Sequence, residues 1–443
     1  MKKKPSSKKI FISITFLVFL LSLIGFTTSG QSSESGFNAP NGFFLYKSEP
    51  KNNDSGRAVA IQPDGKIVIL GLSYDGKNNR TLVLRLNSDG TRDNAFGTNG
   101  VFTYGGKEKG SFFGSGIALQ PDGKIVVVGD SSYGKSKHVF VMRCNSDGLL
   151  DSTFGEGGVT TYKSRANESQ DMGSGVALDS DAKIVVVGST HDGKNRQAMI
   201  LRYNGTGTLD SSFGKGGVVT HSGLSDADLW GRSVAIQPDG KVVMVGYSNT
   251  GKKCDVLTVR YDADGSPDKT FGEGGVALSS CPPGGHDWGR SIVIQPDKKL
   301  IVAGNTRSGG KTYTMLLRYN ADGKPDKTFG NGGFASTADN RNDWGQTVTL
   351  MPDGKIVIVG NTVSVPKYVA SVVRHNHDGT LDRSFGKDGI VVMKTPPDSN
   401  NWVFAAVTQP DGKIVLVGRA KSGKTSEILI VRYKTDGTLD VSL

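Results

Sequence analysis

All four tryptophans of this 443-residue chain fall in a single register of a repeated pattern. Counting eleven residues back from seven regularly spaced lysines gives Ser55, Phe113, Met172, Trp230, Trp288, Trp344 and Trp402. Nine back gives Arg57, Ser115, Ser174, Arg232, Arg290, Gln346 and Phe404. An indole beside a guanidinium and a carboxylate, as in His286-Asp287-Trp288-Gly289-Arg290, can stack on a sugar ring while the charged groups take its hydroxyls. The same aromatic and arginine content marks protein-binding hot spots. A purely structural reading stands beside both: a tryptophan at the start of an inner strand packs as a wedge between neighbouring units, its N–H satisfied locally. The candidate ligand-binding set is Trp230, Arg232, Asp287, Trp288, Arg290, Trp344, Gln346 and Trp402.

Other chemistry has less to stand on. The six histidines (His138, His191, His221, His286, His375 and His377) fall in different columns of the pattern, and no third ligand lines up with His375 and His377. No GxSxG elbow, HExxH or phosphate loop occurs. Asp262, Asp264 and Asp268 place oxygen donors at odd spacing, as at the start of an EF-hand loop, which makes calcium the one cofactor to weigh. The bidentate glutamate that completes such a loop is missing, so these aspartates read as turn caps. No catalytic residue is assigned, and a metal-dependent hydrolase or lyase is the least favoured function.

The elements that position these residues are set by the repeat. The phrase IQPDGKIVIL at Ile61 recurs at Leu119, Leu178, Ile236, Ile294, Leu350 and Thr408, with its lysine at Lys66, Lys124, Lys183, Lys241, Lys299, Lys355 and Lys413. The spacings run from 56 to 59 residues. Each unit reads as four short strands. The first is the SVAIQ run (Ser233 to Gln237), preceded by the tryptophan column on a loop. A Pro-Asp-Gly hairpin turn follows. The second strand, as in KIVVVG from Lys124, is too apolar to face water. A third strand such as VLTVRY ends on an arginine and tyrosine, then a DG turn leads into TFGEGGV and a fourth strand. The third-strand arginines (Arg85, Arg143, Arg202, Arg260, Arg318, Arg374 and Arg432) each precede a turn rich in aspartate, and are expected in structural ion pairs. Cys254 opens the third strand of unit four and Cys281 ends its fourth. Antiparallel neighbours bring those ends together, so a Cys254–Cys281 disulfide is expected. Cys144 replaces a tyrosine and is expected to be buried.

The last unit stops before its fourth strand, and the missing piece stands at the other end, with Phe43 in the place of the valine that starts that strand. A unit shared between both termini closes a ring. The expected fold is therefore all-β: a closed seven-bladed β-propeller of four-stranded repeats about 58 residues long, spanning residues 37–443 and completed by the N-terminal strand. Up-and-down connectivity puts the tryptophan column and the lysines of the second loops (Lys77, Lys135, Lys194, Lys252, Lys311, Lys367 and Lys424) on one face. The PDG and DG aspartates take the other.

The PDGKIVVVG and LRYN-x-DG-x-LD-x-SFG-x-GG phrases resemble the delta-60 repeat proteins and, more distantly, NHL-type propellers. The resemblance covers residues 37–443. It implies the propeller fold and a bacterial exported or surface setting, and implies no activity. Ala182 and Lys298 stand where the turn glycine is expected, and Thr206 where the second turn has aspartate.

Lys2, Lys3, Lys4, Lys8 and Lys9 followed by an apolar run from Ile10 to Phe26 read as a signal peptide over residues 1–30, with an uncleaved N-terminal anchor as the alternative. Without that segment the formal charge falls from +11 to +6. No basic run or recognition helix remains, so nucleic acid is not an expected partner. The expectation is an exported, periplasmic, cell-surface or secreted binding scaffold. It would engage a protein partner through its Trp/Arg/Lys face, or a glycan as a lectin-like propeller.

Overall fold

The computed structural model describes residues 42–441, apart from 107–109, 165–167, 192, 223–226, 282–284, 338–342, 365–366 and 394–399. The expected leader (residues 1–30) and the start of the expected propeller (residues 37–41) lie outside the described residues. No helix among those described is long and apolar enough to cross a membrane.

Every unit is an antiparallel four-stranded sheet, a blade, and in six of the seven the strands lie in chain order. Blade four runs Asp228–Ile236, Val242–Asn249, Cys254–Tyr261 and Val276–Ser279. The second and third strands are buried on both faces, as their continuous β-branched runs demand, because each blade is sandwiched between two others. Those faces build the core. Val243, Val245 and Val256 of blade four meet Leu300, Val302 and Met315 of blade five. Ile67, Ile69, Leu82 and Leu84 of blade one meet Val415, Val417, Ile428 and Ile430 of blade seven in the same way.

The seam is formed as the repeat predicts. Phe43–Tyr46 pairs antiparallel with Thr425–Tyr433, Phe43 opposite Val431, and supplies the outer strand of blade seven. Seven blades joined by seven such interblade cores is the count of a ring, since an open arc of seven would have six.

The hairpin turns keep one geometry with or without glycine. Gly65 sits at φ 82° and its N–H donates to Gln62 O at 2.8 Å. Ala182 and Lys298 hold the same left-handed place at φ 56° and 66°, donating to Asp179 O and Gln295 O. A β-carbon there costs about 1–2 kcal/mol, while glycine adds about 0.4–1 kcal/mol of unfolded-chain entropy. Ala182→Gly and Lys298→Gly are therefore each expected to raise stability by about 0.5–1 kcal/mol, read as a higher urea midpoint at unchanged slope.

Candidate functional site

The conspicuous repeated charges are structural. In blade four, Arg260 Nε donates to Asp268 Oδ2 at 2.6 Å and Lys241 Nζ lies 3.1 Å from that oxygen. The guanidinium also covers the Phe271 ring at 4.6 Å, and Nη1 donates to Ala321 O of blade five. The arrangement recurs around the ring. Its seam copy has Arg432 paired with Asp440 and donating to Ser88 O of blade one. The partner is the aspartate eight residues on; the earlier Asp89 instead caps its turn through the Thr91 N–H.

The same contacts bear on the calcium expectation. Lys241 Nζ bonds Asp262 and also reaches Asp268, while Asp264 Oδ1 accepts the Ser266 N–H at 2.8 Å. Asp262 and Asp268 thus hold the Lys241 ammonium between them, and Asp264 caps its own turn.

The aromatic column departs from its expected place. It lies within the first strand, not on a loop before it: Trp230 is inside Asp228–Ile236 and Trp288 inside His286–Ile294. Two positions later every inner strand slips register, as between Gly231 and Ser233. That β-bulge leaves one extra residue per blade, and bulges re-aim side chains. The seven bulge residues are the nine-back column, and all of them line one axial cavity of about 380 Å³. Arg57, Arg232 and Arg290 meet there with Ser115, Ser174, Gln346 and Phe404, beside Asp130 from a second strand.

Outside this cavity the column divides. Trp288 and Trp344 flank a cleft of about 430 Å³ with Asn305, Arg307 and Thr312 on its walls, and Arg290 lines both spaces. His286 stacks on Trp288 with ring centroids 5.8 Å apart. Trp230 instead packs on three neighbours, with Arg196 at 4.3 Å and Arg232 at 5.2 Å from its ring and Tyr247 stacked at 5.9 Å. Trp402 stacks on Tyr368 at 4.2 Å. Tyr368 also lies 5.7 Å from the Trp344 ring, so all four indoles pack on a neighbouring ring, and Trp288 and Trp344 are the two that also border the cleft.

Two expectations are corrected. Asp287 is fully buried and turned from the cleft; its Oδ2 accepts the Cys281 N–H at 2.7 Å, tying the outer strand of blade four to blade five. Cys254 and Cys281 are free thiols. Cys281 lies beyond the end of the outer strand Val276–Ser279, and its Sγ turns into the interblade core against Met315 Sδ at 3.0 Å. Cys144 is buried as expected, and burial pushes its thiol up to about 12.

Electrostatics single out the axial cavity. Arg290 Nε donates to Asn305 Oδ1 and Arg232 Nη2 to Tyr247 Oη, both neutral acceptors. Arg57 lies over the Phe404 ring at 4.6 Å, and its Nε is buried without a hydrogen-bond partner among the described residues. Burial, then the neighbouring Arg419, lowers the Arg57 pKa; burial, then Arg232, lowers that of Arg290. Asp130 is pushed up to about 6 by burial, against a smaller pull from Lys137. Asp130, Asn305 and Arg419 were not singled out in the sequence. They share one signal: each lies six residues after the repeat lysine, directly across from the aromatic column in the strand pairing.

The match to known families agrees with this architecture. The domain of unknown function (DUF5122) β-propeller matches residues 62–96, 120–154, 180–213, 237–271, 295–329, 352–385 and 409–443, once per blade. The chain belongs to the DUF5122 β-propeller family. No curated protein matches it in sequence. Among solved structures, this DUF5122 propeller is similar to the polysaccharide lyase Uly1, at 11% identity and TM-score 0.51, covering 86% of this chain and 90% of that one. A Dyadobacter fermentans protein of unknown function is 10% identical, with TM-score 0.47 and coverage of 88% and 96%. The aldose sugar dehydrogenase from Streptomyces coelicolor is 15% identical, with TM-score 0.42 and coverage of 73% and 98%. At such identities the likeness is one of fold.

Proposed function

We propose that this DUF5122 propeller is an exported, non-catalytic binding protein that takes a saccharide at the mouth of its axial channel, between Trp288 and Trp344. The observation that carries the reading is the cleft itself: two indoles facing a concave space walled otherwise by Asn305, Arg307, Gly310, Thr312 and Arg290. Apolar walls with a few convergent polar groups are the usual make-up of a small-ligand site. A protein partner would call for the aromatic column to stand out as a patch. Among the described residues the exposed large apolar side chains are instead Tyr74, Leu149, Leu278, Val392 and Val441, none of them in the column. Export rests on the basic and apolar stretch between Lys2 and Phe26.

A glycan array probed with the full chain is expected to give specific saccharide signals. Trp288→Ala is expected to weaken the best of them about tenfold, the loss of roughly one stacked ring. Trp230→Ala, which opens no cleft wall, serves as the comparison. Silence on the array from a folded protein, or equal loss in both variants, would overturn the reading.

A further inference from the structure

Ten arginines of this propeller invite comparison. Seven, one per blade, each hold an aspartate at hydrogen-bond distance. Arg57, Arg232 and Arg290 have no carboxylate within ion-pair distance among the described residues, although all three are half-buried and face one cavity. Their polar contacts are neutral, and the Nε atoms of Arg57 and Arg232 are buried without a partner. Removing guanidinium groups from water without a counter-charge is costly, and three together repel. The fold nevertheless aims each of them at the axis on a β-bulge. Among the described residues Asp130 is the only carboxylate lining the cavity, and no ion pair joins it to any of the three.

We propose that the axial cavity is an anion subsite, in which Arg57, Arg232 and Arg290 receive a carboxylate or sulfate group carried by the saccharide bound between Trp288 and Trp344. This rests on the saccharide reading above, and Arg290, which lines both spaces, joins the two parts. A guanidinium presents a planar fork of donors that matches a carboxylate or sulfate edge, and hydrogen bonds to charged groups are the stronger ones. Asp130 opposes the incoming charge, so the site is tuned below the affinity that the arginines alone would give.

Isothermal titration of the full chain tests this with three probes: a uronic-acid oligosaccharide, a neutral oligosaccharide of the same length, and inorganic sulfate. The acidic oligosaccharide is expected to bind at least about tenfold more tightly than the neutral one, with sulfate competing. Arg57→Gln and Arg232→Gln, neither of which lines the tryptophan cleft, are each expected to remove that preference while sparing neutral binding. Asp130→Asn is expected to tighten acidic binding several-fold, a gain that a misfolded variant cannot produce. Equal binding of acidic and neutral oligosaccharides, with Asp130→Asn silent, overturns the anion subsite and leaves the saccharide reading standing. Sulfate binding that depends on Arg57 and Arg232, with no oligosaccharide bound, supports the anion site and removes the saccharide. Absence of binding by all three probes overturns both.

Discussion

Asp326→Ala is expected to destabilise the protein by about 3–5 kcal/mol, the loss that follows when one partner of a buried ion pair is removed. Asp326 Oδ2 accepts from Arg318 Nε at 2.7 Å and from Lys299 Nζ at 2.8 Å, and Oδ1 accepts from the hydroxyl and N–H of Thr328. Without the carboxylate, Arg318 is left charged and buried under Phe329, still bonded to His377 O of blade six. Burial pushes the Asp326 carboxyl upward, yet the bonds from Lys299 and Thr328 and the Arg318 charge together outweigh it and hold it well below the usual carboxylate range. A depressed folded pKa means that the stabilisation is complete above the unfolded value of about 3.9. It is lost only as pH falls through the folded value. Urea denaturation of wild type and variant at pH 7 and pH 5 is therefore expected to give the same gap. Asp322→Ala, which removes an exposed cap of the Lys324 N–H and an exposed ion pair to the Lys324 ammonium at 3.4 Å, is expected to cost about 1 kcal/mol or less. Equal effects from the two variants would contradict the structural role assigned to the buried pair.

Gly304→Ala is the other substitution with a large expected effect. A β-carbon at Gly304 would lie 1.9 Å from the Trp288 carbonyl oxygen, a backbone atom that cannot rotate away. The same approach recurs at Gly246 beside Trp230 O and at Gly360 beside Trp344 O. The inner and second strands come this close just before the bulge, so the variant must part them. Overpacking of a rigid site costs about 1–3 kcal/mol and at times more, and a backbone clash belongs at the upper end. Because Trp288 is the displaced residue, saccharide affinity is expected to fall with stability. Gly309→Ala, on an open turn at φ 58° with nothing within 4 Å, is expected to lose about 1 kcal/mol of stability and no binding. Thermal melts and the same titrations check both. A Gly304→Ala protein that melts and binds as wild type does would remove the strand contact from the account of the site.

Much of this architecture is legible in the chain because its signals repeat. The apolar second and third strands, the hairpin turns and the outer strand borrowed from Phe43–Tyr46 follow from phrase spacing alone. The third-strand arginines follow from their rule of being charged and buried. The site was legible only in part. Trp230 and Trp288 read as loop residues because Trp-Gly-Arg lacks the apolar alternation of a strand. Inner strands border the channel there, no sheet covers them, and burial leaves little trace in the sequence. The bulge is likewise silent, since Arg232 and Arg290 look like any polar residue until the register slips. Asp130 was hidden for a different reason: it lies in a strand otherwise read as core, and only strand pairing brings it to the axis. The cysteines misled because strand order gives adjacency and not the side-chain direction that turns Cys281 toward Met315.

The seam between Phe43–Tyr46 and Thr425–Tyr433 has a bearing on how the molecule comes into being. The first strand among the described residues pairs with the last, and Lys47 and Thr425, bonded across the seam, are 378 residues apart. Six interblade cores can form as the nascent chain lengthens; the seventh waits until Thr425–Tyr433 has been made. Until then Phe44 and Tyr46, buried in the finished ring, have nothing to cover them, and blade one has a bare flank. Two unfinished copies side by side carry matching halves of the same clasp, so exchange of that one strand between chains is the misassembly expected on refolding at high concentration, checked by the dimer fraction on size-exclusion chromatography.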